Sequence, residues 1–290
     1  MYVPLKILNR RSRLALTSPG EELWFAVQDW FDSPDATHAS IVVHSNLNWA
    51  GSDDRFGQSV TRLAVSWATM RLILAAKQAM HEISKQDGDP ESEVYTHQIF
   101  DTAKQYCTDP LGMSFLDPSI GYFSDLATKA ALISRSRITE QTRAKVILDL
   151  KKEKSGSISC YICGNIFPDL YDIPLDHIWP RSLGGSSQHF NLLPICNGCN
   201  GLKLHRTSWE VYGVVYDYAW AEHGHEAENL LKMALHRKAA EQIALEKSVT
   251  LKEAFLRLGP AQPLDSIDQK EPRLFYNLYA HDVSVHKQMW

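Results

Sequence analysis

Apolar residues recur at helical intervals over much of the chain. Val60, Leu63, Ala64, Trp67, Met70 and Leu74 return to one side of a 3.6-residue period, which predicts a long helix over Asp53–Lys85. The acidic turn Gln86-Asp87-Gly88-Asp89-Pro90 closes it. Further helices are expected over Glu91–Cys107, around Ile120–Ser134, and over the charged stretch Thr139–Lys154. Beyond Tyr212, Leu231, Leu235, Ala239 and Ile243 lie four apart and form one stripe. Thr250–Leu258 carries its own start and stop: Thr250 with Glu253 makes a capping box, and Gly259-Pro260 provides the exit. The tail from Pro263 reads as irregular. The first fifty residues show no strong period, although Trp24, Phe25, Trp30, Phe31 and Trp49 make them rich in aromatics. Aromatic rings can stack on nucleobases, but at such spacing they are expected in the core. The chain has no internal repeat and no low-complexity stretch.

Composition places these elements in an ordinary globular protein. The chain has 290 residues, 44% hydrophobic and 22% charged, enough to bury a core of one large or two modest domains. No apolar run approaches the roughly 20 residues that span a bilayer. Val3–Leu8 is interrupted by Lys6 and is too short for a secretion signal, so a cytoplasmic location is expected. The net charge of −4 is unevenly spread. Ten basic and seven acidic residues fall between 135 and 210, a net +3, which leaves −7 for the remainder. A locally basic segment in an acidic chain suits phosphate binding, and equally a solvated helix face.

The cysteines sharpen the picture. Of five, four form two C-x-x-C pairs, Cys160/Cys163 and Cys196/Cys199. In a reducing compartment such pairs point to metal rather than disulfides. Two such turns complete a tetrahedral Zn²⁺ site with no position left for water, so the zinc is expected to be structural and to supply folding energy. Cys107 remains as a buried free thiol.

Between the pairs runs Leu175-Asp176-His177-Ile178-Trp179-Pro180-Arg181-Ser182-Leu183-Gly184-Gly185, then Asn191-Leu192, then Cys196-Asn197-Gly198-Cys199-Asn200-Gly201-Leu202-Lys203. With its flanking zinc clamp this run resembles the HNH endonucleases of the zinc-containing ββα-metal type, over roughly residues 137–207. The resemblance implies His177 as the general base, Asp176 and Asn200 as ligands of a catalytic cation, and Asn191 as the residue that holds the loop orienting His177. The third letter of the motif, often His, is Asn200 here; some active members carry Asn at that place. Oxygen donors suit Mg²⁺ or Mn²⁺ better than Zn²⁺, and histidine is the side chain poised for base catalysis near neutral pH. Neighbouring strand residues point to opposite faces, so Asp176 and His177 can share one site only where the strand ends. Lys203 and Arg206, on roughly the same helix face, and Arg181 from the loop are expected as phosphate contacts or as plain surface charge, and Trp179 as packed against the zinc subdomain.

The expected fold is α+β and mostly helical: a zinc-stapled ββα core (135–212) between an N-terminal helical region (1–134), suited to recognition or partner binding, and a C-terminal one (213–290). The resemblance implies metal-dependent hydrolysis of DNA, nicking one strand per centre, with a homodimer or successive nicks for double-strand cutting. The family occurs in restriction enzymes, mobile elements, bacteriocins and phage-defence systems. By that analogy the chain reads as an effector of phage defence or restriction, with protein partners of such a system. The competing reading is a non-catalytic zinc module that binds DNA or protein.

Overall fold

A computed structural model describes residues 15–31, 54–109, 111–114, 116–153, 157–169, 173–207 and 229–261, with side chains of 54–63 and 153 excepted. The expectations for Trp49 and for the tail from Pro263 lie outside these residues. Among the described residues the fold is mostly helical with one small sheet. Helices α1 (Pro19–Phe31), α2 (Asp54–Lys85), α3 (Glu93–Thr108), α4 (Ser119–Ile133) and α5 (Glu140–Glu153) precede strands β1 (Leu175–His177) and β2 (Leu192–Pro194). Helix α6 (Asn197–Lys203), a helix over 229–247 (α7) and α8 (Leu251–Leu258) follow.

Helices α2 to α5 sit within two residues of the bounds read from periodicity. Their buried faces differ in detail. Along α2 the core is made by Val65, Ala68, Leu72, Ile73, Ala76 and Ile83, whereas Trp67 and Leu74 are 51% and 45% exposed. The stripe that includes Trp67 is therefore corrected as the buried face: its ring lies on the surface beneath the Arg71 guanidinium, 5.7 Å from the centroid. Helix α1 was not read from the sequence: its run of five consecutive apolar residues, Leu23-Trp24-Phe25-Ala26-Val27, is buried throughout, and a short continuous apolar run reads as helix or strand alike. The capping box of α8 is present, with Thr250 Oγ1 accepting from Glu253 N at 3.1 Å and Thr250 N donating to Glu253 Oε2 at 3.0 Å.

Two apolar cores result among the described residues. The first joins α1–α4 and also takes in Trp179 and Leu183 from the loop after β1. The second is shared by α5, the first cysteine turn, both strands, α7 and α8. The C-terminal helices thus complete the core around the strands instead of flanking it. Trp179 is 2% exposed and belongs to the helical core, edge-on to Trp24 at 6.2 Å, which corrects its expected place on the zinc subdomain. The loop meets the helices backbone to backbone. A Cβ on Gly20 would lie 1.7 Å from the Leu183 carbonyl oxygen. Gly184 adopts φ +78, and a Cβ there would lie 2.4 Å from that of Ala130. This contact fixes the loop beyond His177 against α1 and α4.

Candidate active site

The cysteine turns are built by the backbone. In the first, Gly164 N donates to Cys160 O at 2.9 Å with Gly164 at φ +78, and Cys160 N donates to Asn165 O at 2.9 Å. In the second, Cys196 caps α6 and its Sγ accepts from Cys199 N at 3.4 Å. Tyr161 N donates to Pro194 O at 2.9 Å, tying the first turn to β2. The four sulfurs lie within 4.8 Å of one another, and Cys163 and Cys196 are 3.7 Å apart. A tetrahedral ion with Zn–S bonds of about 2.3 Å needs sulfurs roughly 3.8 Å apart. The donor set, its spacing and its closure therefore fit a structural zinc. Cys107, by contrast, is fully buried in the helical core, and burial pushes its thiol up to about 12, so it stays protonated.

Strands β1 and β2 pair antiparallel, with Asp176 opposite Leu193 and His177 opposite Leu192. Strand alternation sends the two motif residues apart. Asp176 turns inward and is 7% exposed; Tyr161 Oη donates to its Oδ2 at 2.8 Å and Lys203 Nζ to its Oδ1 at 3.1 Å. Burial pushes the Asp176 carboxyl up, and Lys203, Tyr161 and Arg237 oppose that shift. His177 is half-buried at the end of β1. Its Nε2 lies 2.9 Å from Ser187 Oγ. Burial first, then the charges of Arg181 and Lys203, lower its pKa to about 4, so the imidazole is neutral at pH 7.

Asn191, expected to hold the loop, is 1% exposed and makes three bonds to loop backbone. Its Oδ1 accepts from Trp179 N at 2.8 Å, while Nδ2 donates to Trp179 O at 3.0 Å and Ser186 O at 2.8 Å. Asn200 lies on α6 with an exposed side chain; its backbone N–H donates to Cys196 O at 2.9 Å.

The three cations read as phosphate contacts fall in different places. Arg181 is exposed on the loop, with a long 3.4 Å contact to Ser136 O. Lys203 is 2% exposed, giving one bond to Asp176 and a second to His177 O at 2.9 Å, so the surface position expected for it is corrected. Arg206 does not share a helix face with it. Helix α6 ends at Lys203, Leu204 turns to φ +49, and the Arg206 guanidinium donates to Leu202 O.

Sequence reasoning missed four residues that shape the site: Tyr161, Ser187, Arg237 and Glu241. Arg237 on α7 donates to Glu241 at 2.6 Å and to Ile178 O at 3.4 Å, and lies over the Trp179 ring at 5.9 Å. Only Ser187 could have drawn notice, from its place in the Gly-Gly-Ser-Ser turn; a residue sixty positions downstream, such as Arg237, carries no local signal.

As a chemical device the site offers a neutral imidazole at a strand end, an exposed amide and an exposed guanidinium on the adjoining elements. A carboxylate lies behind it with two of its roughly four lone-pair directions engaged. No curated protein and no solved structure matches the chain. Residues 160–210, from the first cysteine turn through α6, match the family model of the HNH endonucleases.

Proposed function

We propose that the chain is a metal-dependent endonuclease that hydrolyses phosphodiester bonds of DNA, with His177 as general base. The observation that carries this reading is the His177 imidazole, neutral and half-buried at the end of β1, inside the segment that matches the HNH family. A neutral imidazole can take a proton from water, which a charged one cannot. Asn191 braces the loop backbone on both sides of Trp179 and so restrains the strand end. Lys203 bonds the His177 carbonyl and restrains it from behind. Arg181, the exposed one of the three expected cations, is read as a phosphate contact.

Asp176 and Asn200 would hold a divalent cation, Mg²⁺ or Mn²⁺, which supplies charge compensation at the phosphate and leaving oxygen when bound. The donor set is thin. Lys203 and Tyr161 already occupy part of the carboxylate, so such a cation would be held weakly and through waters. The same ion pair favours a second reading, in which Asp176 is an internal strut and the segment a non-catalytic zinc module.

Supercoiled plasmid separates the two. Nicking that needs Mg²⁺ or Mn²⁺, survives in the zinc-loaded protein and is lost in His177→Ala supports the nuclease. Binding without cutting, at every metal tried, supports the module. A role in phage defence or restriction would appear as reduced phage plating on cells expressing the chain, abolished by His177→Ala.

A further inference from the structure

Ser187 lies in the turn between the strands, ten residues beyond His177, and is 4% exposed. Its hydroxyl touches two groups: Nε2 of His177 at 2.9 Å and the carbonyl oxygen of Ser136 at 3.1 Å. A carbonyl oxygen only accepts, and a hydroxyl has one proton to give. Both contacts are hydrogen bonds in one arrangement alone, with Ser187 donating to Ser136 O and the His177 Nε2–H donating to Ser187 Oγ. The reverse assignment sets two lone-pair oxygens 3.1 Å apart with no proton between them, a repulsive contact in a part-buried place that costs stability. A general base works as the neutral ring, which carries a single N–H. With that proton on Nε2, the free lone pair is on Nδ1.

We propose that Ser187 is a positioning residue that fixes His177 as the Nε2–H tautomer and makes Nδ1 the nitrogen that accepts the proton from water. This rests on the reading of His177 as general base. The acceptor that orients the hydroxyl, Ser136, belongs to the segment between α4 and α5. The relay therefore ties the ring to the turn that closes α4, where Ser136 N donates to Ile133 O at 2.9 Å, and the Gly20 and Gly184 contacts hold the intervening loop in place. The pairing is read from the placement of His177, Ser187 and Ser136 in the fold.

The test uses full-length, zinc-loaded protein labelled with ¹⁵N-histidine, in which long-range ¹⁵N–¹H correlations report the tautomer of each ring. Wild-type His177 is expected as Nε2–H. Ser187→Ala should show both tautomers and nick supercoiled plasmid with Mn²⁺ roughly tenfold more slowly, at unchanged plasmid affinity. Ser187→Thr, which keeps the hydroxyl, should restore tautomer and rate together. An Nδ1–H tautomer in the wild type overturns the proposal whether or not Ser187→Ala folds. So does a Ser187→Ala spectrum identical to wild type. A wild type with a Ser187-dependent Nε2–H tautomer that cuts no DNA upholds the proton assignment and overturns the nuclease reading instead.

Discussion

Lys203 and Arg181 are both cations of the motif region, but one is buried and the other exposed. The Lys203 and Asp176 side chains are 3% and 7% exposed. Removing one member of a buried pair leaves the other charge without a partner and costs about 3–5 kcal/mol. Lys203→Met is expected to lose about that much in urea unfolding of the zinc-loaded protein; a loss below about 1 kcal/mol would show the pair to be dispensable. Arg181→Gln, on the surface, should stay within about 0.5 kcal/mol of wild type. It should instead weaken DNA binding and make that binding less sensitive to salt, as measured by titration at several ionic strengths. The sequence does not announce this difference. Positions three apart on a helix share a face, so Lys203 and Arg206 read as one basic edge. Helix α6 stops at Lys203, and the turn at Leu204 breaks the periodicity on which that reading rests. Residue types with rigid demands were far more legible. The cysteine spacing, the Asp176-His177 pair and Asn191 are visible in the chain as residue types at fixed spacing, whereas the contacts of Tyr161 and Ser187 are created only by the folded backbone.

At the scale of elements, the two cysteine turns and the sheet depend on one another. Tyr161 N bonds β2, and Cys160 lies in the same core as Ile173, Leu192 and Ile195. Cys160→Ser or Cys196→Ser should each unfold this half, because metal binding supplies folding energy there. Elemental analysis is expected to find about one zinc per chain, retained through mild chelation. Metal-free protein with native circular dichroism would refute this. Helix α7 adds a pH dependence. His236 is buried against Tyr161 and Phe255, and burial lowers its pKa to about 4, only partly offset by the Gly259 carbonyl it bonds at 2.7 Å. Its unfolded value is about 6.5, so between these limits the unfolded chain binds a proton that the folded one refuses. Stability should therefore fall as pH drops from about 6.5 towards 4 and level off below that. His177 contributes in the same direction. His236→Gln keeps a donor for Gly259 and cannot titrate, so urea unfolding against pH should show a shallower acid loss; an unchanged slope would mean that His236 does not carry it. Sequence placed α2–α5 and α8 well because amphipathic stripes and caps are local. It could not place α1, whose short apolar run reads as helix or strand alike, nor show which face of α2 is covered.

Across the whole molecule, the divisions drawn along the chain are not those of its interior. Helices α7 and α8, read from the sequence as a separate C-terminal region, share a core with the strands and cysteine turns, and Trp179 and Leu183 cross into the other core. Trp179 is held there by its Nε1–H to Leu183 O at 2.9 Å and by the Arg237 guanidinium over its ring. Truncating a buried aromatic of this size costs about 3–5 kcal/mol, so Trp179→Ala should destabilise both halves, with the helical signal and zinc retention falling in one transition. Two separate transitions would show the halves to be independent. The contact of Gly184 with Ala130 and Gly20 carries a further meaning for anyone who would treat the HNH segment as a portable cassette. Where a loop tip rests on its neighbour through bare backbone, the two surfaces must be transplanted as a matched pair. A graft of the segment onto a foreign helical partner would place a side chain where this fold has room for none. Excised alone, the segment would retain its four thiols but expose the indole that α1 now covers. What can be moved between proteins here is the chemistry of the motif together with the shape of the helices that receive it.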